Sequence, residues 1–350
     1  MHWYSPKLGK KYYFKHQALS ENHINDLDFH MGDLYDNYDW TVEPEGSWKQ
    51  VLKEHAQKLR DKYKYLRLWY SGGKDSQTVL NTFVENKIHI DEIAMGKISP
   101  TNNWHLRHSD EINKVAIPFI RSISDRIPAT KIKIYKVGYA EQKVWIEDHF
   151  KLAETNVRSF HHFTPHSAYK VLKGFNDREG LANINCIETP RLGEDKQGVY
   201  WYFPDTALFE MLSSPEEDKL AKQINFFLDP VVHAKQCHVI KRHGKYHGYS
   251  PENFDAVGWL EKNINGVCRD KLYKSVSFGK QSGKMYGTPK SVMCLESTMN
   301  NSKTKHLAEK YFEIIKNHNL SADCFNDGDP MKGFKGILSK RYYISSKNNN

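Results

Sequence analysis

The sequence lacks the paired cysteines and the long apolar run that mark disulfide-linked or membrane-spanning proteins. Its five cysteines are an odd number in 350 residues, and no two of them form a CxxC pair. This usage favours reduced thiols over a disulfide framework. Mean hydropathy is −0.72, and no stretch approaches the run of about 20 apolar residues that a membrane helix needs. Because the N-terminus also lacks an apolar signal region, we expect a cytoplasmic protein.

Acidic residues do not balance the basic residues in the last third of the chain. The whole sequence carries 51 Lys and Arg against 42 Asp and Glu, and residues 236–350 hold 19 of the former and 10 of the latter. The remaining 32 of each kind cancel within residues 1–235. This asymmetry indicates either a surface for a polyanion such as nucleic acid or a solubilising face. We divide the chain into a lead-in at 1–45, a main domain at 46–235 and a basic accessory region at 236–350.

The apolar pattern predicts an α/β protein. Helical spacing indicates a helix from Ser47 to Tyr63 with Ser47 as its N-cap, and a strand follows over Tyr65–Tyr70. Strands that alternate with helices favour a mostly parallel sheet with helices on both faces. The later predicted elements are a strand at 92–95, a helix at about 109–124 that Pro118 interrupts, a strand at 131–137, helices at 141–152 and 167–172, a strand at 183–187 and a helix at 302–317.

A glycine-rich segment, Ser-Gly-Gly-Lys-Asp-Ser at residues 71–76, lies between the first of these strands and a helix. Gly72 and Gly73 let the backbone turn sharply and approach a ligand closely. The N–H groups of this turn and of the first helical turn then point to one place. Such a nest at the positive end of a helix is typical of a phosphate-binding site.

The side chains of the segment extend this prediction. The hydroxyls of Ser71 and Ser76 are further donors, and Lys74 adds a compact positive charge. Asp75 cannot favour a bare phosphate, so its carboxylate indicates a Mg²⁺ ion held against the phosphate oxygens. The segment is neither a GxxxxGK[ST] loop, because Lys74 directly follows the two glycines, nor a GxGxxG fingerprint. The sequence therefore predicts binding of a metal-complexed polyphosphate.

The segment at 71–76, after its apolar strand, resembles the signature of the PP-loop ATP pyrophosphatase superfamily, also described as adenine nucleotide α-hydrolase-like. The resemblance covers about Tyr65 to Arg191 and is nearest to the PAPS reductase-like and tRNA-modifying branch. It implies that ATP and Mg²⁺ are cofactors and that the loop holds the pyrophosphate end of ATP. It further implies that a substrate oxygen attacks the α-phosphate, giving an adenylylated intermediate and pyrophosphate, and that an amine, ammonia or sulfur donor then displaces AMP.

Two further segments fit this resemblance. Ala94, Met95 and Gly96, at the end of the second predicted strand, lie where the family holds adenine through backbone groups; an ordinary strand end is the alternative. Glu188 and Arg191 resemble an Arg/Glu/Arg element beside the phosphates, although the spacing is shorter and a preceding Gly-x-Arg is missing. An Arg there would complement charge that develops on the α-phosphate. A surface salt bridge is the alternative for both residues.

Three other features have competing interpretations. One is a run of potential Zn²⁺ ligands, which comprises His233, Cys237, His238, His243 and His247. The chain holds 18 His, and basic residues interleave with the run, so we favour a solvated or polyanion-facing loop. The second is the aromatic run from Trp201 to Phe203, which we expect in the core rather than in a stacking platform. The third is Asp205, which near a strand end could assist Mg²⁺ binding.

These observations favour an enzyme that uses ATP to adenylylate an acceptor, either nucleic acid or a small acid. Lys74, Asp75 and Arg191 are the predicted catalytic residues, and Asp75 is the predicted metal ligand. The alternative is a nucleotide-sensing or nucleic-acid-binding protein that binds ATP without turnover. A sulfonucleotide reductase-like enzyme is disfavoured, because the Cys-Gly-Ile/Leu-His type of segment that such enzymes use is absent from the sequence.

Overall fold

The computed structural model describes most of the main domain and parts of both ends of the chain. The described residues are 2–12, 15–98, 112–137, 179–186, 191–203, 205, 221–242, 305–317, 319–325, 328 and 335–346. The strands are β1 (His2–Ser5), β2 (Lys10–Tyr12), β3 (Asp28–His30), β4 (Tyr65–Trp69), β5 (Glu92–Ile98), β6 (Lys131–Val137), β7 (Leu181–Asn185), β8 (Arg191–Glu194), β9 (Gly198–Tyr202), β10 (Ala221–Asn225) and β11 (Tyr342–Ser346). The α-helices are α1 (Lys15–Glu21), α2 (Asp33–Asp36), α3 (Trp48–Lys62), α4 (Lys74–Glu85), α5 (Ile117–Ser122), α6 (Pro230–Arg242) and α7 (Lys305–Asn317).

Five strands form a parallel sheet in the order β10-β7-β4-β5-β6. The chain enters at the central strand β4 and adds β5 and β6 on one side. It then returns to place β7 and β10 on the other side. This arrangement confirms the α/β fold that the sequence predicts. None of the described helices is long and apolar enough to cross a membrane.

Helices α3, α4 and α6 cover one face of this sheet. Leu66 and Leu68 of β4 are completely buried there and share a core with Val79 and Leu80 of α4. Helix α3 begins where the sequence predicts, because the Ser47 hydroxyl accepts a hydrogen bond from the Gln50 N–H at 3.3 Å. This cap satisfies one of the N–H groups that the first turn of a helix leaves without a partner.

A buried polar network joins four strands of the sheet. Its member on β4, Arg67, alternates with Leu66 and Leu68 along the strand. Arg67 of β4 donates from Nε to Glu92 Oε1 of β5 at 2.7 Å and from a terminal nitrogen to Asn183 Oδ1 of β7 at 3.2 Å. Tyr135 of β6 donates its hydroxyl to the same Glu92 oxygen at 2.8 Å. Burial raises the pKa of the Tyr135 hydroxyl, and the hydrogen bond to Glu92 raises it further. The network therefore ties the register of β7, β4, β5 and β6 together.

The elements differ from the predictions in a few places. Strand β5 continues to Ile98 because β6 offers a partner as far as Val137, so the predicted strand end at residues 95–96 is wrong. The helix around Pro118 is interrupted, with a π-helical turn at Ile112–Ala116 before α5. A proline lacks the N–H that a regular helix would need at this point. The predicted helices at 141–152 and 167–172 lie outside the described residues.

Two further sheets are antiparallel, with the orders β2-β1-β3 and β11-β9-β8. The segment 335–340 joins them: Phe29 of β3 donates its N–H to Leu338 O at 3.2 Å, and Ser339 donates its N–H to Phe203 O at 2.7 Å. Helix α6 runs through the proposed boundary between residues 235 and 236. The division of the chain into three regions stays a prediction.

Candidate functional site

Residues 71–76 form a loop, here named the phosphate loop, between β4 and α4. The strand order reverses at β4, since later strands are added first on one side of it and then on the other. In an open α/β sheet, the crevice at such a reversal, outside the carboxyl ends of the strands, is where ligands bind. The phosphate loop follows the carboxyl end of β4 and therefore lies at this position.

The backbone of the loop requires a glycine at position 72. Gly72 has φ +81°, in the left-handed region that L side chains avoid. A Cβ atom there would also lie 3.2 Å from both the Cβ atom and the backbone nitrogen of Ala116. The loop is thus packed directly against the end of the π-helical turn, which limits the conformations that it can adopt.

Two serine hydroxyls hold the loop in shape. Ser71 Oγ accepts a hydrogen bond from the Gly73 N–H at 3.1 Å and lies 3.2 Å from Ser76 Oγ. Ser76 Oγ in turn donates to the Gly73 carbonyl at 3.1 Å and accepts from the Ser71 N–H at 3.3 Å. The two predicted ligand hydroxyls therefore lie side by side at the start of α4.

The N-terminus of α4 has the properties of an anion site. Gly73 is its N-cap and has no side chain to satisfy the first N–H groups. These groups carry the positive end of the helix dipole. The first turn includes Asp75, whose carboxylate would repel an anion unless a cation lies between them. The side chain of Lys74 lies outside the described part of the structure, so its predicted role stays a prediction.

Cys186, which directly follows β7, is close enough to the phosphate loop to experience the charge of Asp75. Burial raises the pKa of its thiol, and the negative charge of Asp75 raises it further. The strand predicted at 183–187 includes Cys186, whereas β7 ends one residue before it. The carboxyl ends of parallel strands meet at one edge of a sheet, which brings Cys186 near the loop.

The proposed adenine segment lies within β5 rather than at its end. Ala94 and Met95 are buried, and Ala94 O accepts a hydrogen bond from the Tyr70 N–H at 2.8 Å. Strand β4 pairs with β5 only as far as Ala94, whereas β5 continues past Gly96. Met95 and Gly96 therefore lie beyond the last residue of β5 that pairs with β4, at the edge of the sheet where the phosphate loop begins. Adenine binding there stays a prediction.

Arg191 is the first residue of β8 and pairs with Tyr202 of β9. Direct partners in an antiparallel ladder point to the same face, so Arg191 shares a face with Tyr202. Glu188 lies outside the described residues. Catalytic contact between Arg191 and ATP stays a prediction.

The described part of the His and Cys run lies on α6 and faces the protein interior. His233 donates from Nδ1 to Phe227 O at 3.2 Å, and His238 donates from Nε2 to Trp40 O at 3.0 Å. Burial lowers the pKa of His233 to about 3, and Cys237 is completely buried. No group of three potential metal ligands converges within the described residues; His243 and His247 lie outside them.

Asp205 and the aromatic run also have structural partners. Asp205 accepts hydrogen bonds from Trp3 Nε1 at 2.8 Å and from the Ile337 N–H at 2.9 Å. It thereby ties β1 to the C-terminal segment, which leaves little capacity for Mg²⁺. Trp201 and Phe203 are completely buried, as predicted, whereas Tyr202 is partly exposed.

No protein-family model matches the sequence, and no curated protein matches it. Among solved structures, the chain is similar to an NH3-dependent NAD synthetase from Campylobacter jejuni subsp. jejuni NCTC 11168 in complex with the nitrate ion. The identity is 12%, the alignment covers 69% of this chain and 97% of the other, and the TM-score is 0.29. At these values the fold assignment depends on the strand order described above, not on this similarity.

Proposed function

We propose that this protein is an enzyme that binds Mg-ATP at the phosphate loop and transfers AMP to an acceptor with release of pyrophosphate. The observation that supports this function is the position of the loop. A glycine turn, two neighbouring hydroxyls and an uncapped helix N-terminus meet at the reversal in strand order. Glycine turns and helix N-termini are common phosphate sites, and their combination at a reversal in strand order supports a polyphosphate as the ligand.

The chain's own groups have distinct proposed roles. The Gly73 turn and the first N–H groups of α4 hold the phosphates, with Ser71 and Ser76 fixing the shape of the turn. Asp75 is the proposed ligand of Mg²⁺, which neutralises phosphate charge when it is bound. Lys74 and Arg191 are proposed to offset the charge that grows as the bond between the α-phosphorus and its bridging oxygen breaks.

The acceptor is proposed to be a nucleic acid, because the basic surplus of the chain belongs to residues 236–350. A small acid is the competing acceptor. A polynucleotide would gain from this surplus by releasing counterions from its phosphates, whereas a small acid would not need it. The proposed phosphate site has the same role with either acceptor.

A second candidate function is nucleotide sensing, in which the same loop binds ATP without turnover. Ala94 and Met95 of β5 are buried, and Ala94 is hydrogen-bonded to Tyr70 directly before the loop. Such an enclosed position would suit retention of a nucleotide as well as catalysis. The two functions share ATP binding and differ only in the formation of products.

Calorimetry of Mg-ATP binding tests the shared step. We expect Asp75→Ala and Ser71→Ala to weaken binding about tenfold or more, because each removes a charged or hydroxyl contact from the site. Asp125→Ala, which removes an exposed carboxylate from a surface turn, is the matched control and should bind as the wild type does. Unchanged affinity in both loop variants would remove the loop from the proposed function.

A further inference from the structure

A groove of about 750 Å³ lies on the outer face of the β11-β9-β8 sheet. We propose that it binds single-stranded nucleic acid, with tyrosine rings stacking on the bases and basic side chains contacting the phosphates. We name it the tyrosine groove and define it by Tyr200, Tyr202, Lys335, Lys340, Arg341 and Tyr343. This inference deepens the proposed function, since it gives the nucleic-acid acceptor a binding surface.

The alternation of the sheet brings the tyrosines together. Burial alternates along β9, with residues 199 and 201, and residue 203 just after the strand, buried. Tyr200 and Tyr202 therefore point to the opposite, partly exposed face. Tyr343 of β11 is the direct partner of Tyr200. The ring centroids of Tyr200 and Tyr202 are 5.9 Å apart, and those of Tyr200 and Tyr343 are 5.6 Å apart. Three neighbouring rings therefore form one aromatic surface.

Gly193 of β8 makes room for the central ring. It is the direct partner of Tyr200, and a Cβ atom at this position would lie 2.6 Å from Tyr200 Cζ and 2.7 Å from its hydroxyl oxygen. The ring of Tyr200 thus lies across β8 where any side chain would displace it. A glycine that keeps a partly exposed ring in this orientation is understandable if the ring itself contacts a ligand.

The charged residues of the groove favour an anionic ligand. Lys335, Lys340 and Arg341 line it, together with the carboxylate of Asp28. Arg341 lies over the Tyr200 ring, with its Cζ atom 4.8 Å from the ring centroid. Its guanidinium group therefore extends the aromatic surface with a plane on which a base can also stack.

Two carboxylates next to the groove reduce its positive charge. Asp195 accepts hydrogen bonds from Arg341 at 2.6 Å and from the Tyr343 hydroxyl at 2.9 Å. Asp36 forms an ion pair with Lys340 at 2.8 Å. Stacking must then supply much of the affinity, which favours nucleic acid over an acidic peptide, because a peptide of carboxylates offers no flat rings. It also favours unpaired strands, since the faces of duplex bases are already covered.

The length of the chain between Cys186 and Arg191 limits how far the groove sheet can lie from the proposed ATP site. Five residues lead from Cys186, close to Asp75, to Arg191, and an extended stretch of that length spans at most about 18 Å. Arg191 then pairs with Tyr202 at the edge of the tyrosine surface. The groove sheet and the phosphate loop are therefore linked by a short stretch of chain.

The test is fluorescence anisotropy with labelled 12-nucleotide single strands of RNA and DNA, using the full chain without ATP. We expect Tyr200→Ala to weaken binding about tenfold or more, because one stacked base is lost. Tyr200→Phe keeps the ring and should retain binding, which separates loss of stacking from loss of fold. Tyr38→Ala, which removes a partly exposed ring outside the groove, should bind as the wild type does.

Three results would overturn the inference: equal binding by Tyr200→Ala and the wild type, equal binding of a duplex of the same length, or equally effective competition by polyglutamate. Because ATP is absent, the groove and the proposed function can fail separately. Loss of strand binding by Tyr200→Ala with unchanged ATP affinity would support the groove. Loss of ATP affinity by Asp75→Ala with unchanged strand binding would support it as well.

Discussion

The phosphate loop draws its groups from six consecutive residues, whereas the tyrosine groove combines residues near 28, 200 and 340. The loop offers mainly backbone N–H groups, which a helix N-terminus orients without help from distant parts of the chain. The groove offers side chains that only the pairing of β9 with β11 brings together. One site therefore depends on local conformation, and the other depends on tertiary structure.

The largest expected difference is in stability, between an ion pair of the central parallel sheet and an ion pair of the β11-β9-β8 sheet. Glu92→Ala leaves Arg67 buried without its carboxylate partner, and we expect a loss of about 3–5 kcal/mol in the free energy of unfolding. Arg341→Ala breaks the exposed ion pair with Asp195 in the groove sheet and should shift the midpoint very little. Urea unfolding followed by circular dichroism measures both. Equal effects of the two variants would contradict the contrast between a buried and an exposed ion pair.

The next largest effect is expected from a change in the backbone conformation of the phosphate loop. Gly72→Ala meets both the left-handed φ of +81° and the contact with Ala116, whereas Gly9→Ala meets a φ of +61° with open space around it. Gly9→Ala should lose roughly 1 kcal/mol of stability through backbone strain, and Gly72→Ala should lose more, because its Cβ atom also meets Ala116. Only Gly72→Ala should also lose ATP affinity, about tenfold. If calorimetry found the same ATP affinity for both variants, the packing of Gly72 on Ala116 would not shape the site.

Acid should weaken the packing of α6 against the groove sheet. The pKa of His233 is lowered to about 3 by burial, so the unfolded chain binds more protons than the folded chain below pH 6.5. The stability from the neutral ring is present above that pH and declines as pH falls, by about 2 kcal/mol at pH 5. His233→Leu should remove this loss of stability, whereas His306→Gln, which replaces an exposed side chain on α7, should not. Parallel profiles of stability against pH for the wild type and His233→Leu would contradict the assignment of this acid sensitivity to His233.

The smallest expected effect is on nucleic-acid affinity, and it shows which basic residues contact the phosphates. Glu43 already accepts hydrogen bonds from Lys235 and Arg242, so the charge of Arg242 is partly neutralised within the protein. Lys335 lines the tyrosine groove, whereas Lys241 lies on α6, so we expect charge reversal of Lys335 to weaken single-strand binding more than charge reversal of Lys241. The slope of log affinity against log salt should be about −2 for three contacted phosphates. A steeper slope that depends on Lys241 would move the polyanion site to α6.

The sequence predicts the local elements well because their signals are local. The hydroxyl of Ser47, the glycines at 72 and 73 and the alternation at 131–137 each act within a few residues. The predicted end of β5 is wrong because the length of this strand depends on its pairing with β6, which lies more than thirty residues later. The groove could not be predicted for a similar reason: the aromatic run suggests a core position for Tyr202, and the outward face shows only in the alternation of burial along β9 and in the pairing of Tyr200 with Tyr343.

The most direct test of the central claim is the identity of the products from ATP labelled at the α-phosphate. The full chain is incubated with Mg²⁺ and ATP, with and without a single strand, and the products are separated by chromatography. We expect AMP, free or attached to the strand, together with pyrophosphate, and we expect Asp75→Ala to abolish both. Formation of ADP and orthophosphate instead would contradict cleavage between the α- and β-phosphates.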